Sequence, residues 1–279
     1  MKLLYLAAFV PWPARDGDRV RAMLTLRAVA RRHPVYGFFL DPDGAGIPPE
    51  IRRLCVDAVA LPLPRARLAL GAMRARLGGT SVHAGAFWWA SAQRKLDVTA
   101  GRWNPDAVHV HRLRMIPYAE PLCRPYAFDA TDCLTAYYRE ALASRFDERR
   151  ARLRGWRRIY AALDLPALRR AERAATRGAT VTLVTTPLER DRLRTVAGGG
   201  RVEVVPNGVD LGYWSFRPGP RNGPLVFLGN LGYPPNEAGL LWLLERVAPR
   251  LARNRRVEII GGGVTARLRR AARRCPLRV

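Results

Sequence analysis

Short apolar runs that alternate with amphipathic helical patterns are the feature of this sequence that most limits its fold. The runs include KLLYLAAFV, VYGFFL, DAVHVH and YAFDATD, and helical patterns such as RVRAMLTLRAVARR lie between them. Nearly continuous apolar strands are typical of parallel sheets, because the crossovers between parallel strands cover both faces with helices. The alternation therefore predicts an α/β fold, with a complete Rossmann-like domain over residues 1–208.

The pattern changes after residue 208. Residues 209–224 are rich in glycine and proline, which predicts a linker between domains. A new βα cycle begins with LVFLG, and VEIIGGG supplies a further strand. Residues 225–279 have room for about two βα units, whereas a doubly wound domain uses about five or six strands. We therefore expect the second Rossmann-like domain to be incomplete.

The chain is strongly basic, with 48 Lys and Arg residues against 23 Asp and Glu and a formal net charge of +25. Such a charge attracts nucleic acid or an anionic membrane surface. However, only Lys2 and Lys95 are lysines, and the arginine bias of a GC-rich genome would give the same composition. No nucleic-acid motif is visible and the tryptophans are scattered, so we expect no specific nucleic-acid partner.

A basic amphipathic segment extends over residues 139–177 and predicts two helices joined near Pro166. The segment could contact anionic lipid, or it could be an ordinary solvated helix surface with its apolar side on the core.

Cysteine spacing and hydropathy favour a cytoplasmic protein, either free or at the inner face of the membrane. Cys55, Cys123, Cys133 and Cys275 are far apart and form no C-x-x-C pair, as expected for reduced thiols. The apolar N-terminal run breaks at Pro11 without a signal-peptide cleavage site. No apolar stretch approaches the roughly 18 residues that span a bilayer.

Glycine-rich turns follow three predicted strands, and such turns present backbone N–H groups and a helix N-terminus to phosphate. The third turn, GGGVTA, matches the G-x-G-x-x-A variant of the dinucleotide fingerprint. It lacks an acidic residue about 20 positions further on, so a plain strand-to-helix turn explains it better than an NAD site. The other two turns and their neighbours supply the candidate donor- or acceptor-binding residues Gly17, Arg21, Gly229, Asn230 and Asn236. Asn236 is also a plausible helix N-cap.

The best catalytic candidates lie at the end of DAVHVH. His109 and His111 occupy alternate positions, so their side chains point the same way near the carboxyl edge of the sheet, where open α/β folds bind ligands. The pair could bind zinc, but no third ligand is obviously spaced to join it, and either histidine alone could be structural. In FDATDC, Asp129 and Asp132 could bind a sugar hydroxyl or an arginine, or Asp132 could cap the next helix.

A third strand end, VEVVPNGVD, precedes the predicted linker. Pro206 ends the hydrogen-bond ladder, and Asn207 and Gly208 tolerate a left-handed backbone. We expect a hinge here, at which Asn207 and Gly208 either line the donor site or only form the turn.

Taken in order, these motifs resemble those of the retaining glycosyltransferases of GT-B fold and family-4 type, in particular sugar transferases associated with exopolysaccharide and exosortase systems. The motifs are P-x(5)-G-x(3)-R, PDAVHVH, TLVTTPLERDRL, VVPNGVD and LVFLGNLGYPPNEAGLLWLLERVAPRL. The resemblance implies an acceptor-side N-terminal domain, a donor-binding C-terminal domain and retaining transfer from a nucleotide-diphosphate sugar to a lipid-linked or polysaccharide acceptor. It implies no metal ion or other cofactor. A histidine at the end of the DAVHVH strand would contact the donor sugar, which favours His111 over His109.

Two departures from the family pattern affect the expected activity. Residues 229–233 have no Arg or Lys where the family usually has a diphosphate clamp, and the E-x(7)-E region that grips the donor would lie beyond Val279. We therefore interpret the chain as C-terminally truncated and expect it to have weak or no glycosyltransferase activity alone. Robust sugar transfer by the purified chain would contradict this expectation. The alternative is a non-catalytic basic Rossmann-like module that binds anionic lipid or nucleic acid.

Overall fold

A computed structural model describes most of the chain, namely residues 1–143, 156–216, 218–219, 223–251 and 256–275. The chain divides into two units. The first comprises Met1–Tyr138 and Tyr160–Gly208, and the second comprises Arg139–Ile159 and Val209–Val279.

The first unit contains a seven-stranded sheet in which every described pairing is parallel. Its strands are β1 (Leu3–Ala7), β2 (Val35–Asp41), β3 (Asp57–Pro62), β4 (Ala107–His111), β5 (Tyr126–Thr131), β6 (Val181–Val184) and β7 (Val202–Val204). Their order across the sheet is β3-β2-β1-β4-β5-β6-β7. The chain therefore starts in the middle of the sheet, where β1 lies beside β4.

Helices connect these strands. They are α1 (Gly17–Ala30), α2 (Pro49–Arg52), α3 (Arg65–Leu77), α4 (Val82–Gly85), α5 (Ala90–Trp103), α6 (Ile116–Ala119), α7 (Leu134–Ala143), α8 (Trp156–Gly178) and α9 (Pro187–Ala197), with short 3-10 turns at Leu113–Met115 and Glu120–Leu122. Among the described residues, none of the helices combines the length and the apolar character needed to cross a bilayer.

The residues of β1 show how the sheet is covered. Leu4 and Leu6 belong to one buried apolar cluster, whereas Tyr5 and Ala7 belong to another that includes Met23 of α1. Because side chains alternate along a strand, these clusters lie on opposite faces of the sheet. Both faces are buried, as the apolar runs predicted, and the predicted α/β fold is confirmed.

Helix α8 corrects one expectation. Two helices were predicted to meet near Pro166, but α8 continues through this residue. Leu168 and Ala175 are fully buried in the cluster that packs on the sheet. This packing offsets the free-energy cost of the helical hydrogen bond that is missing because proline has no backbone N–H. Part of the predicted amphipathic segment, residues 144–155, lies outside the described residues.

The second unit contains a two-stranded parallel sheet of β8 (Leu225–Leu228) and β9 (Val257–Ile260). Its helices are α10 (Pro234–Trp242) and α11 (Ala266–Arg274), with a π-helical turn at Leu243–Val247 and a 3-10 turn at Ala248–Arg250. Leu231, Leu240 and Leu268 are buried together in its core.

Helix α3 packs unusually closely on the backbone that follows α4. A Cβ atom added at Gly71 would lie 2.1 Å from the carbonyl oxygen of Ala86. Real Cβ atoms do not approach a backbone oxygen this closely, so the contact requires glycine. Gly101 of α5 is a natural comparison, because a Cβ atom there would have no neighbour within 4 Å.

We predict that Gly71→Ala lowers the free energy of unfolding by at least about 2 kcal/mol, because α3 must move away from Ala86. Gly101→Ala should be neutral or raise it by up to about 1 kcal/mol, because alanine favours the helix. Urea unfolding of both variants measures the difference. Equal effects of the two substitutions would show that α3 does not pack as described.

Candidate functional site

The two histidines of β4 lie on the sheet face that α1 covers. In the strand register, Tyr5 of β1 lies opposite His109, and Asp129 of β5 lies opposite His111. The rings of Tyr5 and His109 stack with centroids 4.6 Å apart. The parallel pairing therefore places an acidic side chain from one central strand beside histidines from the next, at the carboxyl edge of the sheet.

Asp129 forms a buried ion pair with Arg21 of α1. Nε of Arg21 donates to Oδ1 and Oδ2 of Asp129 at 2.9 and 3.0 Å, and its Nη2 lies 2.9 Å from Oδ1. The Arg21 side chain is 4% exposed and that of Asp129 is 0% exposed. A charge this deeply buried is tolerated only with a partner, so each of these residues requires the other.

The same arginine also holds the chain beyond β7. Nη1 of Arg21 donates to the carbonyl oxygen of Val205 at 2.9 Å and to Oδ1 of Asn207 at 3.0 Å. Gly208 follows, and a Cβ atom there would lie 3.8 Å from the side chain of Leu24. The described contacts of Arg21 are thus to the protein itself, although the sequence predicted it as a substrate-binding residue.

Both histidines approach Oδ2 of the Asp129 carboxylate. Nδ1 of His111 lies 3.6 Å and Nε2 of His109 lies 4.0 Å from Oδ2 of Asp129. His111 is fully buried, and within the described structure neither of its ring nitrogens has a hydrogen-bond partner. A buried polar atom without a partner is uncommon and calls for an explanation, such as a functional one.

Burial also sets the charge of this cluster. It lowers the pKa of His109 to about 4, an effect that the charge of Asp129 only partly offsets. Burial likewise lowers the pKa of His111 below its ordinary value, despite the facing carboxylate. Burial opposes ionisation of Asp129, but its contacts with His111, His109 and Arg21 outweigh this and hold its pKa below the ordinary value. At neutral pH the cluster contains one ion pair and two neutral histidines.

The backbone is strained where the two central strands end. Arg112, directly after β4, has φ 72°, and Thr131, the last residue of β5, has φ 67°. A left-handed conformation is a clear outlier for β-branched threonine, and such strain is often found at functional sites. Asp129 and Thr131 also flank a register shift between β5 and β6.

Sequence reasoning missed Arg112, which connects the loops at this edge. Its guanidinium contacts Asp18 of α1, and its Nη1 lies 3.1 Å from the carbonyl oxygen of Ala130 and 3.4 Å from Oδ2 of Asp132. The sequence signal that could have identified Arg112 was its position directly after the H-x-H pattern. The ion pairs place Asp18 and Asp132 around the Arg112 guanidinium at the carboxyl edge of the sheet.

Asp132 does not provide the cap of α7 that was considered for it. The N–H groups of Leu134 and Thr135 donate to the carboxylate of Glu172 at 2.7 and 2.8 Å, and the N–H of Cys133 donates to Glu189 at 2.7 Å. Burial raises the pKa of Glu172. Carboxylates distant in sequence thus satisfy the helix N-terminus, and Asp132 pairs with Arg112.

Gly17 is the first residue of α1, and Asp16 is its N-cap, which accepts from the N–H of Arg19 at 2.9 Å. A Cβ atom at Gly17 would meet no atom of the described residues within 4 Å. The start of α1 is therefore open at the same edge of the sheet, next to Asp18.

The predicted residues of the second unit gather in the turn between β8 and α10. Nδ2 of Asn236 donates to the carbonyl oxygen of Asn230 at 3.0 Å, and Oδ1 of Asn230 accepts from the N–H of Gly232 at 3.0 Å. A Cβ atom at Gly229 would lie 2.9 Å from Nδ2 of Asn236. Glycine at position 229 therefore makes room for the amide that braces this turn.

The expectation that Asn236 is the N-cap of α10 is wrong. Tyr233 occupies that position, and Pro234 and Pro235 form the first turn. Proline suits the start of a helix because its fixed φ is helical and the missing N–H would have no partner there. Asn236 consequently lies inside the helix.

The glycine run after β9 packs against the turn between β8 and α10. A Cβ atom at Gly261 would lie 1.8 Å from the carbonyl oxygen of Gly229. Thr265 caps α11 by accepting from the N–H of Leu268 at 3.2 Å. Within the part of the chain that is described, no three His, Cys, Asp or Glu residues are grouped so as to hold a metal ion.

Comparison with solved structures gives likenesses at low identity. Phytolacca americana UGT2 complexed with UDP-2-fluoro-glucose and pterostilbene is 13% identical over 94% of this chain and 71% of that chain, with a TM-score of 0.50. Medicago truncatula UGT71G1 complexed with UDP-glucose is 11% identical over 96% and 67%, with a TM-score of 0.49. Sucrose-phosphate synthase from Thermosynechococcus elongatus is 13% identical over 77% and 93%, with a TM-score of 0.41.

The sequence matches no family model, and no curated protein is detectably similar to it. The likeness to UGT2 extends over nearly the whole chain. It supports the predicted α/β fold of GT-B type.

The lowered pKa of His109 predicts a pH-dependent stability. Because the folded-state pKa is about 4 and the ordinary value is 6.5, the unfolded chain binds a proton first as the pH falls. The free energy of unfolding should therefore decrease between pH 6.5 and 4, by roughly 3 kcal/mol from this residue. His109→Phe, which keeps a ring against Tyr5, should make the decrease shallower in urea unfolding.

His109→Gln provides a second comparison, because it also removes the titrating ring while keeping a polar side chain. Its pH dependence of the unfolding free energy should be as shallow as that of His109→Phe. If His109→Phe has the same slope as the wild type, His109 is not a neutral buried residue.

Proposed function

We propose that this protein is a glycosyltransferase that moves a sugar from a nucleotide-diphosphate sugar to an acceptor hydroxyl. His111, at the carboxyl edge of the first unit, is proposed to contact the donor sugar. The support is the fold, the order of the motifs along the sequence and the geometry of this histidine. The single observation that carries the proposal is a fully buried His111 that faces Asp129 through Nδ1 and has no hydrogen-bond partner at Nε2 among the residues that the structure describes.

His111 is suited to hydrogen bonding with a neutral ligand. With its pKa lowered by burial, the ring is uncharged at neutral pH and has one donor and one acceptor nitrogen. A proton on Nδ1 would face the Asp129 carboxylate and leave Nε2 to accept from a sugar hydroxyl. The ring is fully buried and Phe9 packs edge-on against it at 5.5 Å, so contact with a sugar requires neighbouring side chains to shift.

The reaction forms one bond and breaks one at the anomeric carbon, and it transfers one proton. The acceptor oxygen bonds to the anomeric carbon, the bond from that carbon to the diphosphate oxygen breaks, and the hydroxyl proton passes to the leaving diphosphate. Charge develops on the diphosphate, so backbone N–H groups at helix N-termini are the groups that would stabilise it. Each unit has a turn of this kind, at Gly17 in the first and at Gly229 and Asn230 in the second, and each turn precedes or opens a helix.

The finer features rest on the motif resemblance. We propose retention at the anomeric carbon without a metal ion, a lipid-linked or polysaccharide acceptor, and a site of action at the cytoplasmic face of a membrane. His109, Asp129 and Asn207 belong to the His111 cluster through their contacts with one another and with Arg21. We assign them to supporting this site.

Saturation-transfer NMR with UDP-glucose, GDP-mannose, ADP-glucose and dTDP-glucose tests the proposal on the chain as it exists, because this method detects weak binding. At least one nucleotide sugar should receive saturation at both its nucleoside and its sugar protons. In His111→Ala the sugar signal should fall by at least about half relative to the nucleoside signal, because a sugar contact is lost. The same samples can be assayed for release of the nucleoside diphosphate.

His33, a half-buried histidine between α1 and β2, provides the control because it lies outside the His111 cluster. His33→Ala should retain the wild-type ratio of sugar to nucleoside signal. Absence of saturation transfer from every nucleotide sugar would contradict the proposed function. An unchanged ratio in His111→Ala would show that His111 does not contact the sugar.

A further inference from the structure

Helix α3 presents apolar side chains on two opposite faces. Its inner face, with Leu68, Gly71 and Ala75 at helical spacing, is buried or half-buried. Leu70, Met73 and Leu77 recur at i, i+3 and i+7, and they are 53%, 57% and 83% exposed. At about 3.6 residues per turn, this second stripe lies directly opposite the buried face. The outer stripe therefore contributes nothing to the described core.

Arginines border the outer stripe on both sides. The helical spacing places Arg65 and Arg76 along one border and Arg67 and Arg74 along the other, and all four are exposed. Arg74 lies over the ring of Trp88 at 5.1 Å from its centroid, so this border is stabilised by a cation–π contact. An apolar stripe between two rows of cations is the arrangement that anionic bilayers bind, because the arginine stems extend along apolar surface while the guanidinium groups reach the headgroups.

The surrounding sequence has the same charge. Residues 58–96 contain six basic residues and no Asp or Glu, and no acid-free stretch of the chain is longer. The overall arginine bias does not explain this local absence of carboxylates, because acidic residues occur in every other part of similar length. No carboxylate of this stretch therefore repels an anionic surface at α3.

We propose that the outer face of α3 docks in the plane of an anionic lipid bilayer, with Leu70, Met73 and Leu77 inserted among the lipids and the flanking Arg65, Arg67 and Arg76 at the phosphate groups. Complementary charge selects a phospholipid surface over an apolar protein groove. The proposal goes beyond sugar transfer, and it assigns the membrane contact to a helix outside residues 139–177, the segment for which sequence analysis considered lipid contact as one of two alternatives.

Vesicle co-sedimentation of the full chain tests the docking. The vesicles contain phosphatidylcholine alone or phosphatidylcholine with roughly one third phosphatidylglycerol. The protein should bind the anionic vesicles, and raising the salt from about 0.1 M to about 0.5 M should weaken binding by screening. Equal binding to both kinds of vesicle, or to neither, overturns the proposal.

Two variants separate the apolar from the electrostatic contribution. Leu70→Ser/Met73→Ser/Leu77→Ser should lower partitioning onto anionic vesicles at least about tenfold, because the inserting side chains are lost. Arg65→Gln/Arg76→Gln should lower it by about fivefold per arginine and reduce its salt dependence. All five side chains are exposed, and thermal unfolding checks that the fold is retained.

The matched control replaces exposed apolar residues on other helices. Val98 of α5 and Leu188 of α9 are 72% and 58% exposed, and Val98→Ser/Leu188→Ser should bind vesicles like the wild type. Hydrogen exchange gives a second readout without substitution, since amides of residues 70–77 should gain protection on anionic vesicles and those of α9 should not. Undiminished binding by the triple serine variant, or self-association through α3 without vesicle binding, overturns the proposal.

Vesicle binding requires no nucleotide sugar. A failure of the docking therefore leaves the proposed sugar transfer untouched, and a failure of nucleotide-sugar binding leaves the docking untouched.

Discussion

The buried ion pair between Arg21 and Asp129 is the interaction on which the candidate site depends. It joins α1 to β5, and the same guanidinium reaches the carbonyl of Val205 and the side chain of Asn207 beyond β7. Both charges are almost fully removed from water. Removing one partner would leave the other charge buried and uncompensated, which costs far more than the pair contributes. Three elements distant in sequence are therefore held in one arrangement.

This ion pair also determines the chemistry available beside it. Asp129 is ionised and lies 3.6 Å from Nδ1 of His111, so the carboxylate favours a proton on that nitrogen and leaves the other ring nitrogen as an acceptor. Burial keeps the ring neutral. Strained backbone at Arg112 and Thr131 marks the same edge of the sheet. The acceptor nitrogen of this neutral ring is the feature from which we propose contact with a sugar hydroxyl.

The sequence was informative wherever one local pattern determined the structure. The apolar runs predicted the strands of the sheet, and the alternate positions of His109 and His111 correctly placed both on one face. Contacts between distant segments were not visible. Glu172 caps α7 from another helix, Arg21 finds its partner 108 residues away, and packing on the core carries α8 through Pro166. In each case tertiary contacts decided the outcome, and no local pattern encodes them.

A double-mutant cycle on Arg21 and Asp129 tests the central claim most directly. Arg21→Met and Asp129→Leu would be compared singly and together by urea unfolding at neutral pH. Each single substitution should lower the free energy of unfolding by about 3 to 5 kcal/mol because it leaves a buried charge unpaired, and the double variant should recover much of this loss. A coupling energy above about 2 kcal/mol is expected. Additive losses would show that the two residues do not form the buried pair on which the site depends.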